Sequence, residues 1–141
     1  MTPAIRRATA ADAPACAAIV ERWLATLDWM PDKPSREALE AAMREGFPVR
    51  EAWVAGEPVA GYLSLAAEEG HIRGFYVARP GGGTGRALLD HVKAGRRRLT
   101  LNSHAPNRAA HRFYEREGFR VVERNLPGAD GVPEIRMEWR A

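Results

Sequence analysis

The stretch Phe75-Tyr76-Val77-Ala78-Arg79-Pro80-Gly81-Gly82-Gly83-Thr84-Gly85-Arg86-Ala87-Leu88-Leu89 does most to limit what this chain can fold into. An aromatic and β-branched run ends at a proline, four glycines fall within five residues, and a helical pattern restarts with Leu88, Leu89 and Val92 on its apolar side. A strand therefore feeds a helix through a tight glycine turn. Without Cβ atoms, successive backbone N–H groups can converge on a ligand, and the partial positive charge at the start of the following helix favours an anion. Phosphate is the expected guest. Arg86-Ala87 after Gly85 takes the place of the Lys-Ser/Thr pair of a triphosphate-hydrolysing loop, and a dinucleotide fingerprint begun at Gly81 or Gly83 would need glycine at Arg86 or Leu88.

A second cluster, Asn107-Arg108-Ala109-Ala110-His111-Arg112-Phe113-Tyr114-Glu115-Arg116-Glu117-Gly118-Phe119, narrows the choice. Together the two stretches resemble the GNAT N-acetyltransferase superfamily, whose glycine loop reads Arg/Gln-x-x-Gly-x-Gly/Ala and whose downstream helix reads Asn-x-x-Ala-x-x-Phe-Tyr-Glu-x-x-Gly-Phe. The helix pattern matches at every named position. The loop pattern falls on Pro80 to Gly85 and matches at Gly83 and Gly85, with Pro80 in place of the opening Arg or Gln and a shorter link from Val77. Arg79 and Arg86 are the nearby substitutes. The resemblance covers residues 60 to 141.

The resemblance implies a single domain over residues 1–141 and an α/β (α+β) fold: a mixed, mostly antiparallel central sheet, splayed at the acetyl-CoA site and flanked by helices on both faces. It implies that the main chain of Tyr76 and Val77 bonds the pantetheine arm. By the same resemblance Gly81, Gly82, Gly83, Thr84, Gly85 and Arg86 hold the pyrophosphate, while Asn107 reaches the arm from the other side with Ala110 and Tyr114 on its helix face. Tyr114 matches the general-acid position. The strand position where relatives often carry an acidic or polar group is Arg73 here, leaving Glu69 or His71 as the tentative base. The implied reaction moves an acetyl group from acetyl-CoA to a primary amine of a small molecule or protein, by direct attack through a ternary complex. Arg73 and the altered loop leave open a different class, a non-catalytic acyl-CoA-binding or sensing domain.

Composition sets outer limits. A chain of 141 residues buries roughly two-thirds of its unfolded surface and needs neither metal nor disulfide to fold. Its lone cysteine, Cys16, has no intrachain partner, and with no signal-like apolar segment the chain reads as cytoplasmic, a monomer or homodimer. No window suits a membrane span. The net charge of +3 is mild, and Arg96-Arg97-Arg98 lacks the exposed aromatics of a nucleic-acid surface; it reads as a helix C-terminus. No His, Cys, Asp or Glu spacing suggests a metal.

Along the chain, residues 4–8 suggest a strand, Thr9 a cap, and Cys16, Val20, Trp23 and Leu27 one stripe of a helix running to Leu27. Ser35 caps a second helix ending near Gly46. Strands follow at 51–54, 59–67 and 71–77, then a helix at 83–95 and a strand at 98–102. Simple alternation in the strand from His71 puts His71, Arg73, Phe75 and Val77 on one face and Ile72, Gly74 and Tyr76 on the other, with Gly74 suited to a bulge. Ser103 to Pro106 reads as a loop, Asn107 as a cap, Gly118 as a stop, and 119–124 with 134–139 as a closing hairpin. Trp23, Trp29, Met30 and Phe47 fit either a pocket or core, and Ser103 and His104 either loop-lining or chemistry.

Overall fold

In a computed structural model, which describes residues 2–141, the chain forms seven strands and four α-helices. In order they are β1 (Ile5–Arg7), α1 (Ala13–Leu24), α2 (Arg36–Gly46), β2 (Glu51–Ala55), β3 (Gly61–Ala66), β4 (His71–Val77), α3 (Thr84–Lys93), β5 (Arg98–His104), α4 (Arg108–Arg116), β6 (Phe119–Leu126) and β7 (Glu134–Arg140). All strands join one sheet of order β1-β2-β3-β4-β5-β7-β6. Neighbours are antiparallel except β4 and β5, which run parallel because α3 carries the chain across between them.

The sheet separates two apolar clusters. On one face Leu88, Leu89 and Val92 of α3 pack on Leu63, Leu65, Ile72, Leu99, Leu101, Ile135 and Met137, with Phe75, Val77, Phe113 and Tyr114 at the margin. On the other, Cys16, Ala17, Val20 and Leu24 of α1 and Met43 of α2 pack on Ala52, Val54 and Tyr62, with Trp23 and Tyr76 at the margin. Each fully buried leucine contributes about 1.5–3 kcal/mol, and truncating Leu89, which has no exposed surface, would cost about 2–5 kcal/mol.

Local chemistry sets the helix ends. Asp12 Oδ2 accepts from Thr9 N–H at 2.8 Å and closes a capping box, while Arg6 grips the same carboxylate at 2.9 and 2.8 Å. Ser35 Oγ accepts from Ala38 N–H at 3.1 Å, as its position predicts. Helix α1 stops at Leu24 rather than Leu27, because Thr26 Oγ1 takes the Trp23 carbonyl at 2.6 Å and the Leu27 carbonyl is bonded by Lys33.

Two strand expectations are corrected. In β4, Ser64 faces Gly74 whereas Leu65 faces Ile72, so Arg73 is an extra residue and the strand bulges there. The extra residue breaks the alternation: Ile72, Phe75 and Val77 point to the α3 face, while Gly74 and Tyr76 join the α1 face. In β5, pairing with β7 continues through Ser103↔Ile135 and His104↔Glu134, so both residues belong to the strand and not to a loop.

Candidate active site

Strands β4 and β5 pair only at His71↔Thr100 and Ile72↔Leu101. Beyond Ile72 they part, and the β4 backbone from Arg73 to Val77 loses its neighbour on that side. Such an unpaired edge inside a sheet is a row of hydrogen-bonding groups awaiting a partner. The gap opens into a cleft of about 520 Å³.

The glycine turn forms one wall. Gly81 and Gly83 have φ of +86° and +87°, the left-handed region that favours glycine, and Gly83 caps α3. The first helical bond in α3 runs from Ala87 N–H to the Gly83 carbonyl at 3.0 Å, so the N–H groups of Thr84, Gly85 and Arg86 have no helical acceptor. Gly85 serves a second purpose: a Cβ there would lie 3.2 Å from Phe113 Cζ and 3.5 Å from Phe75 Cζ, so its small size lets α3 close on α4.

Helix α4 forms the opposite wall through Ala109, Arg112, Phe113 and Arg116, which recur at helical spacing and so share a face. Asn107 Oδ1 accepts from Ala110 N–H at 3.4 Å, fixing the start of that helix. Arg86, Arg112 and Arg116 against Glu117 make the cleft net positive. Deeper in, Tyr114 stands among Phe75, Phe113 and Phe119, with ring centroids 5.6–6.1 Å away. Its hydroxyl bonds no described residue, and burial holds its proton well above the ordinary phenol range.

The cleft therefore gathers Tyr76, Val77, Gly81, Gly83, Gly85, Arg86, Ala110 and Tyr114 of the residues expected from sequence. Gly82, Thr84 and Asn107 belong to its supporting turn and caps rather than its lining. Phe75, Pro80, Ala109, Arg112, Phe113, Arg116 and Glu117 line it as well; the spacing on α4 was the signal available for four of them.

Glu69 and His71 stand elsewhere, in a polar cleft of about 340 Å³ with Arg73, Arg98, Thr100, Asn102 and Arg136. His71 Nδ1 lies 2.8 Å from Thr100 Oγ1, and burial first, then the charges of Arg73 and Arg136, lower its pKa. Glu69 sits at the surface, 3.9 Å from Arg73. On the same sheet face, under α1 and α2, a cavity of about 210 Å³ is lined by Tyr62, Ser64, Arg73, Gly74 and Tyr76, and the buried Ser64 hydroxyl has no partner among the described residues. Tyr76 lines both this cavity and the large cleft.

At the mouth of the same face, side chains from three distant segments converge. His104 Nε2 lies 2.7 Å from Asp130 Oδ2, and Glu134 brings a carboxylate into the same group, so that one polar atom from each side chain lies within 4.8 Å of the others. The Trp29 ring lies tilted 5.1 Å from the His104 ring, Trp23 lies 6.5 Å from it, and Trp23 lies 5.1 Å from Tyr76. Burial would raise the Asp130 pKa, but the Val132 N–H and His104 hold the carboxylate below its usual range. Sequence reading left His104 between loop-lining and chemistry and did not single out Asp130.

Comparison with known proteins fits this geometry. A model of the acetyltransferase (GNAT) domain matches residues 28–141. The 5-NmdU N-acetyltransferase of Pseudomonas phage PaMx11 is 35% identical over 56% of this chain and 70% of its own. The solution structure of apo YjaB from Escherichia coli superposes with a TM-score of 0.79 at 26% identity, covering 99% of this chain and 98% of that one. yncA from Salmonella typhimurium, whose structure holds its cofactor acetyl-CoA, does so with a TM-score of 0.68 at 21% identity, covering 99% and 94%. With a domain match that runs from the α1–α2 connection to the last residue, and a fold shared over nearly its whole length, this chain belongs to the GNAT family of acetyltransferases.

Proposed function

We propose that the protein transfers an acetyl group from acetyl-CoA to a primary amine of a small molecule or protein, by direct attack within a ternary complex, and that residues 1–141 act as one domain. The parting of β4 from β5 above a glycine turn carries this reading.

The cleft suits the cosubstrate in three respects. Free N–H groups at Thr84, Gly85 and Arg86, with Arg112 nearby, suit a pyrophosphate. The unpaired β4 edge at Tyr76 and Val77 suits an extended amide-bearing arm. Phe75, Val77 and Phe113 give that arm apolar walls. Acetyl-CoA supplies an acetyl group activated as a thioester.

The chain's own groups then govern protons and access. Tyr114 stays protonated through the neutral range and has a hydroxyl free to donate, so it can serve sulfur as it leaves. A covalent acetyl-enzyme has no support from Cys16, which is buried in the α1 cluster with its thiol pushed up to about 12 by burial. The amine as acceptor is also in keeping with the N-acetyltransferase activity named for the phage relative.

The test is release of free CoA from acetyl-CoA across a panel of primary amines, with amide products identified by mass. At least one amine is expected to raise release above the amine-free rate. Tight acetyl-CoA binding with no amine-dependent release would make the protein a binding or sensing domain instead. In thermal scans acetyl-CoA should add about 2.7 kcal/mol at a hundredfold excess over its dissociation constant, and NAD or ATP should add none; stabilisation by ATP alone would overturn the assignment.

A further inference from the structure

The electrostatics of the two ends of the site differ. Arginines crowd the glycine-turn end. The far end, past Tyr76, presents Asp130 and Glu134 around His104, and beside that group three aromatic rings: Trp23, Trp29 and Tyr76. Aromatic faces next to a carboxylate attract an organic cation, because the ring quadrupole and the ionised oxygen act in the same sense while the rings displace water. A primary amine in water is such a cation.

His104 has the hydrogen bonds of a base held ready. Ionised Asp130 can only accept, so the 2.7 Å contact places a proton on His104 Nε2 and leaves the lone pair on Nδ1. Nδ1 has no partner among the described residues. Among the described residues, Glu134 from β7 shares the group with His104 and Asp130, and His111 from α4 contacts the His104 backbone carbonyl through Nε2 at 3.1 Å. Trp23 bridges this group to Tyr76, and Tyr76 lines the large cleft, so the group adjoins the place where β4 and β5 part.

We infer that Trp23, Trp29 and Tyr76 seat the acceptor's ammonium and that His104, positioned by Asp130, takes its proton. This rests on the acetyl-transfer reading and supplies the base that Glu69 and His71, in their separate cleft, do not bring to the aromatic group. The step balances. The ammonium gives one proton to His104, the C–N bond forms as the C–S bond breaks, the second proton leaving nitrogen replaces the one Tyr114 gives to sulfur, and His104 returns its proton to water.

The experiment compares His104→Gln, Asp130→Asn and His71→Gln with the parent protein. With an amine that reacts, His104→Gln should lower kcat about a hundredfold, remove the acidic limb of the pH–rate profile, and leave acetyl-CoA affinity unchanged by calorimetry. Asp130→Asn should lower kcat as well, with acetyl-CoA affinity unchanged, since the carboxylate no longer fixes the proton on His104 Nε2 and the lone pair on Nδ1. His71→Gln should change neither. A second readout needs no turnover: the ring-proton resonances of His104, assigned by through-bond correlation to its backbone, should shift with n-butylammonium chloride and not with sodium butyrate. Should His104→Gln fail to fold, Asp130→Asn and the ring titration still decide. Ring shifts without acetylation of any amine would support the seat and refute acetyl transfer. Full activity in His104→Gln, loss of the acidic limb in His71→Gln, or no ring response to n-butylammonium would overturn the inference.

Discussion

Replacing Gly83 by alanine separates backbone strain from ligand contact, because the structure provides an internal control. Gly83 has φ +87° and Gly95, at the far end of α3, has φ +78°; a Cβ at either would meet no atom within 4 Å. Neither methyl clashes with the protein, so each substitution costs only the left-handed backbone, about 1–2 kcal/mol. In a domain of this size that lowers the melting temperature by about 3–7 °C. The two variants should therefore melt alike. They should differ in acetyl-CoA affinity, since the Gly83 methyl stands where the turn faces the cleft. Loss of one charge-assisted hydrogen bond is worth about 1.5–3 kcal/mol, a weakening of about ten- to hundredfold. Isothermal titration with acetyl-CoA, beside thermal scans of both proteins, measures the two quantities independently. Equal affinities in Gly83→Ala and Gly95→Ala would show that the turn only redirects the chain, and the phosphate reading would fall with it.

Other expectations follow from named contacts. Tyr114→Phe should cut turnover about a hundredfold or more, with acetyl-CoA binding nearly unchanged. Its stability should stay within about 1 kcal/mol of the parent because the lost hydroxyl leaves no described group unpaired; equal steady-state rates would remove Tyr114 from catalysis. Gly85→Val should lower the melting temperature more than Gly83→Ala does, since a Cβ there would lie 3.2 Å from Phe113; a variant that melts no lower than Gly83→Ala would refute this. Asp12 is held below its usual pKa chiefly by Arg6, against the opposing effect of burial. A depressed folded value means the contribution is present above the unfolded value near 3.8 and is lost as pH falls through the lower folded one. Urea unfolding should thus show parent and Asp12→Asn proteins converging below about pH 4, and a gap that persists in acid would contradict the linkage.

Much of this architecture could be read locally. Ser35 and Asn107 announced their helices because a cap is a contact between neighbours three residues apart, and the apolar triplet Leu88, Leu89 and Val92 announced the buried face of α3. Alternation failed in β4, where one extra residue at Arg73 exchanged the faces of everything after it. Gly74 hinted at irregularity there, but a bulge is fixed by the partner strand and not by its own sequence. The lining of the large cleft was legible in part because the glycine turn and α4 are contiguous segments. The His104–Asp130 contact was not, for its members lie 26 residues apart and meet only because β7 inserts between β5 and β6. Gly85 looked like a phosphate contact, and its packing against Phe113 became visible only once α3 and α4 were set side by side.

The placement of two apolar clusters on opposite faces of one sheet bears on how such a protein can be altered. Substitutions in α1, in the turn through Trp29, or in α2 repack one cluster, while those in α3 and α4 repack the other, and distant sites without shared partners combine additively. A designer could therefore vary the aromatic side and strengthen the glycine-turn side separately, screening two small libraries in place of their product. Tyr76 is the place to expect epistasis, because its side chain touches Trp23 on one side and lines the large cleft on the other.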